Sequence, residues 1–410
     1  MKGRLGAIAA MAVASLMVVV GCAAPAGSSV AANQHSHTYT IGLLIDETGL
    51  AASSYKTYAK GVAAGIAATA PAGYHFKLVT ADTGSLPNSA LTAAQQLVEQ
   101  DHAFAVLAGS SLVFGASDWL TAHGIPVIGG ASDGSEWLHA QNMFSVYGRP
   151  DVTKVATTLG KFMKMEGGTN LASVGYSISA LSALAAESQA ASSQAAGLKI
   201  GYLNANFPFG STNVQPVALA MKSDGANSLY AAVEPNTALA LITADRQEGI
   251  KLKAAVLATG YGGDLLQGGP GALQAAQGVD FQQEFEPVEM HNAATARMQQ
   301  ALQHVGIHGD PTYAEDVGYT SVGLLVEGLQ KAGANPTQAS FIHALSKVKN
   351  WNGMGLLGTH TVDLSLKGTN VFGPGECIYM TKFQGSTFHL IAKAEPICGS
   401  VITGKTVSPP

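Results

Sequence analysis

Few residues in this 410-residue chain are grouped in a way that makes covalent chemistry. The 12 histidines are scattered. His35 and His37 put two imidazoles close together, but a zinc site takes three or four ligands and no third stands near, so no metal is expected. Gly260-Tyr-Gly-Gly263 and Gly268-Gly-Pro-Gly271 are glycine-rich. Neither has the lysine of a P-loop, nor the G-x-G-x-x-G spacing with its acidic follower, so both read as turns and no cofactor is expected. There is no G-x-S-x-G nucleophile elbow. A Ser–His–Asp triad assembles in space rather than in sequence, so an exported α/β hydrolase stays open as an alternative. The remaining chemistry is reversible binding by polar turns that follow apolar runs. The first such turn is Asp46–Tyr55, a candidate wall of a ligand site.

The elements that position these turns follow one another with a regular beat. Ile41–Ile45 is an apolar run of strand length, and Tyr58, Val62 and Ile66 fall on one helical face. Strand, turn and helix make the first half of a βαβ unit. Further strands are predicted at His75–Thr80, Ala103–Ala108 and Ile125–Ile128, with helices between them, as in a parallel sheet covered on both faces. Met143–Tyr147 reads as a crossing. The alternation then restarts with strands at Leu171–Gly175, Leu198–Leu203, Leu229–Val233 and Ala254–Ala258. A second crossing is expected at Val279–Phe285, then helices at Ala293–Val305, Tyr313–Lys331 and Gln338–Val348, then a β-rich tail. The expected fold is α/β: two doubly wound Rossmann-like lobes joined by a hinge of several crossovers. The predicted boundaries are 38–147 plus 280–348 for lobe 1, 148–279 plus 349–400 for lobe 2, and 401–410 as a tail. Such a hinge permits closure around a ligand.

The amino terminus has the layout of an export signal. Lys2 and Arg4 precede an uncharged apolar stretch, Leu5 to Val20, that is short for a bilayer span. The junction Val19-Val20-Gly21-Cys22 resembles the lipobox of bacterial lipoproteins, in which the cysteine carries the lipid. Residues 1–22 then form the signal peptide, Cys22 is the lipidation site, and 23–37 is a flexible tether. Without Lys2 and Arg4, 20 basic side chains face 27 acidic ones, a net charge of about −7. That balance argues against nucleic acid, whose phosphates require a basic face. Cys377 and Cys398 are left as an even pair in an exported chain, which predicts a disulfide; two buried free thiols are the alternative.

Several segments, in order and spacing, carry a resemblance to a family. They are I-G-L-L-I-D-E-T-G from Ile41, Ala116-Ser117-Asp118 through Gly124-Ile125-Pro126-Val127-Ile128, and Phe207-Pro208-Phe209-Gly210-Ser211-Thr212-Asn213. Val317-Gly318-Tyr319 and Gly353 through Asp363 complete the set. From Tyr39 to about Lys393 the chain resembles the type I periplasmic solute-binding proteins of ABC transporters, in particular the leucine/isoleucine/valine receptors. The resemblance implies a monomeric receptor without enzymatic activity, anchored by lipid on the outer face of the cell membrane. Its partners would be a small solute, such as an amino acid or a related polar molecule, and an ABC permease. A ligand-sensing lipoprotein that reports to a membrane partner is the other binding role.

Carried onto this sequence, the family's pocket takes its first-lobe wall from Ser53, Tyr55, Ser110, Ser111, Ala131, Ser132 and Asp133. Its second-lobe wall comes from Tyr176, Ser177, Val233 or Glu234, and the stretch from Tyr261 to Asp264. Tyr319 reaches in from the returning segment, or else belongs to the helix core. All but Tyr319 follow a predicted strand, at the edge where α/β sheets hold ligands. Ser110, Ser111 and Asp133 have a plainer reading as helix caps. Where amino-acid receptors carry a small hydroxyl residue, this chain has Asp133. A carboxylate facing the pocket would repel a ligand carboxylate at a cost of about 4 kcal/mol at 4 Å and an effective dielectric near 20. The expected solute is therefore neutral or cationic, with Glu234 or Asp264 meeting an ammonium group. If Asp133 points away as a cap, amino acids remain open.

Overall fold

The computed structural model describes residues 38–131, 133–148, 150–365, 371, 376–391 and 395–408. Cys22, the signal peptide, the tether with His35 and His37, and Ser132 lie outside the described residues.

The first sheet is built from β1 (Thr38–Ile45), β2 (His75–Asp82), β3 (Ala105–Gly109), β4 (Val127–Gly129) and β5 (Met143–Ser145). Its order is β2-β1-β3-β4-β5 and every pairing is parallel. β3 is buried along its whole length, which explains why it reads as a solid apolar run with no alternation. β5 pairs with β4, so the stretch expected to be a crossing begins as the edge strand of this sheet.

β6 (Lys154–Ala156) stands apart. The second sheet comprises β7 (Asn170–Tyr176), β8 (Lys199–Phe207), β9 (Ser228–Ala232), β10 (Ala254–Leu257), β11 (Asp280–Gln283), β12 (Cys377–Gln384) and β13 (Thr387–Leu390). Its order is β13-β12-β11-β10-β9-β7-β8. Strands β7 to β11 are parallel to their neighbours, and β12 and β13 join antiparallel. β14 (Ile397–Cys398) pairs with β12 so that Cys377 and Cys398 face each other, and the two are joined in a disulfide.

Three predicted boundaries move. Residues 280–283, assigned to lobe 1, are β11 of the second sheet, because their backbone groups find partners in β10 and β12. The stretch after 349, assigned to lobe 2, begins against the first lobe: Trp351 donates its indole N–H to the Val146 carbonyl at 2.9 Å. The expected tail contains β15 (Val401–Thr406), which pairs antiparallel with β6.

Between β11 and β12 the chain returns to the first lobe as helices Ala293–His304, Tyr313–Ala332 and Gln338–Leu345. The long helix packs on Tyr58–Thr69 at backbone range. A Cβ on Gly61 would lie 2.2 Å from the Glu315 carbonyl, and one on Gly318 would lie 2.6 Å from that of Tyr58. The missing side chains let the two helices touch, and that contact fixes where the amino end of Tyr313–Ala332 emerges.

Candidate functional site

That end emerges at the cleft between the two sheets. The carboxyl ends of β1, β3 and β4 face those of β7, β9 and β10 across it, the edge where parallel sheets place ligands. Two adjoining chambers of about 80 and 180 Å³ lie there, sharing Tyr55, Ser182, Ala232, Thr259 and Tyr313 as lining. One ordered water needs only about 10–15 Å³ by the same measure, so the space holds more than solvent bridges.

Glu234 is the centre of the smaller chamber. It stands just before helix Pro235–Gln247 and is buried to 8 % exposure. Its carboxylate accepts from Ser54 Oγ and, at 3.2 Å, from Ser111 Oγ, both on the opposite lobe. Its backbone N–H donates to Tyr176 Oη, which in turn donates to Thr237 Oγ1. Burial pushes the Glu234 carboxyl up to about 7, against the pull of the two serine hydrogen bonds. Asp264 makes a second bridge: its Oδ2 accepts the N–H of Tyr313 at 3.0 Å. Its other oxygen is buried and unpartnered, and burial raises its pKa well above the carboxylate range. A third bridge runs from Ser179 Oγ and the Leu181 N–H to the Asp133 carbonyl. The lobes therefore meet directly, and the conformer is closed.

Of the residues expected to form the pocket, Tyr55, Ser111, Ala131, Tyr176, Val233, Glu234 and Asp264 line the chambers. The other described ones lie elsewhere, each for a local reason. Ser53 is exposed, and the helix Ala52–Tyr55 turns Ser54 inward instead. Ser110 donates to Asp46 Oδ1 at 2.6 Å and accepts the Leu112 N–H, so it braces its own loop. Asp133 points away from the cleft: it accepts from the Trp137 indole at 2.7 Å and from the Phe114 N–H at the start of helix Phe114–Ala122. The repulsion argued from it therefore lapses. Ser177 is exposed, and Ile178 and Ser179 beside it face the cavity. Tyr261 donates to Glu289 and accepts the Val288 N–H, tying the second lobe to the returning chain. Tyr319 sits in the core between helices, where Gly65 would touch its carbonyl.

Sequence reasoning missed Tyr313, six residues before Tyr319 on the same helix. The signal was present: Thr312 with Glu315 forms a capping box, which marks the helix start and hence the residue at the cleft. It also missed the larger chamber, lined by Tyr147, Gln189, Tyr230, Gln282 and Glu284 among others. These come from a strand middle, strand ends and a helix middle that no motif marks. One His–Cys group is found among the described residues, His360 with Cys377 and Cys398, but both of its sulfurs are in the disulfide.

The periplasmic binding protein family model matches residues 38–386. The chain belongs to that family. Comparison with curated protein sequences gives no match. Among solved structures, the fold is similar to a solute-binding protein of an ABC transporter from R. palustris in complex with 4-hydroxybenzoate. The TM-score is 0.73 at 15 % identity, covering 89 % of this chain and 98 % of that one. It is also similar to a leucine-binding protein from Thermotoga maritima, with TM-score 0.71, 14 % identity, and 88 % and 99 % covered. A branched-chain amino acid binding protein from Streptococcus pneumoniae, in complex with isoleucine, gives 0.69 at 17 % identity, with 89 % and 99 % covered. This periplasmic binding protein shares their two-lobed α/β fold.

Proposed function

We propose that this chain is a lipid-anchored extracytoplasmic receptor that captures a small solute between its lobes and passes it to an ABC importer. The observation that supports this best is the Glu234 bridge, which spans the cleft to Ser54 and Ser111 within the smaller chamber that all three line. A clasp of hydrogen bonds between lobes opens and shuts at modest cost, since each net bond is worth about 1 kcal/mol. The hydrolase alternative is weaker on the same observation. Ser111 does reach a carboxylate, but that contact crosses between lobes and breaks on opening, and among the described residues no histidine lines either chamber.

The test is mass spectrometry of small molecules that co-purify with the protein, followed by thermal-shift measurement with each. A receptor must show a saturable rise in melting temperature with its solute, because that solute binds only the folded state. Absence of both a retained solute and any stabilising compound would end the reading. For the anchor, Cys22→Ser is expected to move the protein from the membrane to the soluble fraction. Unchanged fractionation would remove the lipid.

A further inference from the structure

The larger chamber carries information about what the solute is. Tyr55, Tyr147 and Tyr313 all line it, with ring centroids 6.2 Å apart for Tyr55–Tyr313 and 6.5 Å apart for Tyr147–Tyr313. The first pair is edge-to-face at 82°, and the second is tilted at 38°, so the rings turn a corner around the space. Gly130 makes room for this: a Cβ there would lie 2.6 Å from the Tyr313 hydroxyl. Glu284 lines the same chamber, and its carboxylate is held by Gln282 Nε2 at 3.1 Å. It shares that lining with Tyr147, Tyr230 and Tyr313.

Polar atoms without a partner lie on residues that line the chamber as well. Tyr147 is 5 % exposed with its hydroxyl unpartnered, and the Oε1 atoms of Gln189 and Gln282 are buried acceptors without donors. In the adjoining chamber Asp264 and Glu234 add two more carboxyls. Among the described residues, no Lys, Arg or His lines either chamber. A ligand carboxylate would find no cationic side chain there among the described residues. A cation would meet three tyrosine rings, a residue type whose face attracts a cation within about 6 Å of the centroid, together with the Glu284 carboxyl.

We propose that the solute is a small organic cation, an alkylammonium compound whose charged head sits among Tyr55, Tyr147 and Tyr313 beside Glu284. The inference rests on the receptor reading above and narrows it to one class of ligand. It departs from the isoleucine and 4-hydroxybenzoate held by the similar structures, both of which carry a carboxylate.

The test uses the full chain purified in detergent and titrated calorimetrically with choline, n-butylammonium, leucine and benzoate, with melting temperatures in parallel. Saturable binding of choline or n-butylammonium, at least tenfold tighter than leucine or benzoate, is the expected result. Glu284→Gln and Tyr313→Leu should each weaken that binding at least tenfold. Each variant is first checked for a cooperative melt, and the two are independent, so the loss of one fold leaves the other informative. Leucine or benzoate binding as tightly as either cation overturns the proposal and leaves the receptor reading intact. Unchanged cation affinity in a folded Glu284→Gln protein also overturns it. If none of the four binds and a solute without an ammonium group co-purifies, the cation assignment falls alone; if nothing binds or co-purifies, both fall.

Discussion

Glu234 carries the pH behaviour of the cleft. In the closed form its carboxyl is pushed from 4.5 up to about 7 by burial. The closed conformer therefore holds a proton that an opened, hydrated Glu234 releases. Closing of the empty protein is favoured in full below pH 4.5, weakens as the pH rises through about 7, and levels off above. A displacement of this size is worth on the order of 3 kcal/mol. Small-angle scattering across pH 4–8 should show the unliganded protein expanding as the pH rises, and Glu234→Gln should flatten most of that change. Expansion on acidification would contradict the sign. The neighbouring choice between Ser53 and Ser54 shows how little a sequence says at this scale. Both hydroxyls follow the same strand, and only the short helix Ala52–Tyr55 decides which of them meets Glu234.

The helix Tyr313–Ala332 is the element on which the site depends. It is buried along most of its length, it lies against Tyr58–Thr69 with no side chain between them at Gly61, and its first residue enters the cleft. Gly61→Ala would set a methyl 2.2 Å from the Glu315 carbonyl, so the helices must part. Overpacking of this kind costs about 1–3 kcal/mol, and a lower urea midpoint with weakened solute binding is expected. An unchanged midpoint would show that the helices have slack. The helix itself was legible from its periodicity and capping residues. Which of its two tyrosines faces the ligand was not, because six residues along a helix carry a side chain about 9 Å down the axis. Tyr319 is at that depth in the core, and Tyr313 is at the mouth.

For the whole molecule, the question is what holds the lobes together. Asp264 belongs to the second lobe and accepts a hydrogen bond from the amino end of the returning helix, the Tyr313 N–H. Asp264→Ala should lose about 1 kcal/mol, the usual value of such a cap, and shift the lobes toward the open form. A larger radius of gyration with little change in melting temperature is the expected signature. An unchanged radius would leave the Glu234 and Asp133 bridges as sufficient. Trp351 and the β6–β15 pairing show why the lobe boundaries were misplaced in the sequence. Long-range partners decide which sheet or lobe a segment joins, and a backbone group carries no record of its partner.

By itself the sequence determined the two layered halves, their strand order in time, and the polar turns at the strand ends; the pocket residues within those turns came from the family resemblance, which left Val233 or Glu234 open. The halves, the order and the turns follow from apolar period and from turn chemistry, which are local. Only the tertiary structure decided that Ser110 and Asp133 turn inward to brace loops and that Tyr313 replaces Tyr319. It also decided that Tyr55, Tyr147 and Tyr313 enclose a chamber with Glu284. Those outcomes depend on which distant backbone atoms arrive within 3 Å of a side chain, and packing of the two sheets sets that distance.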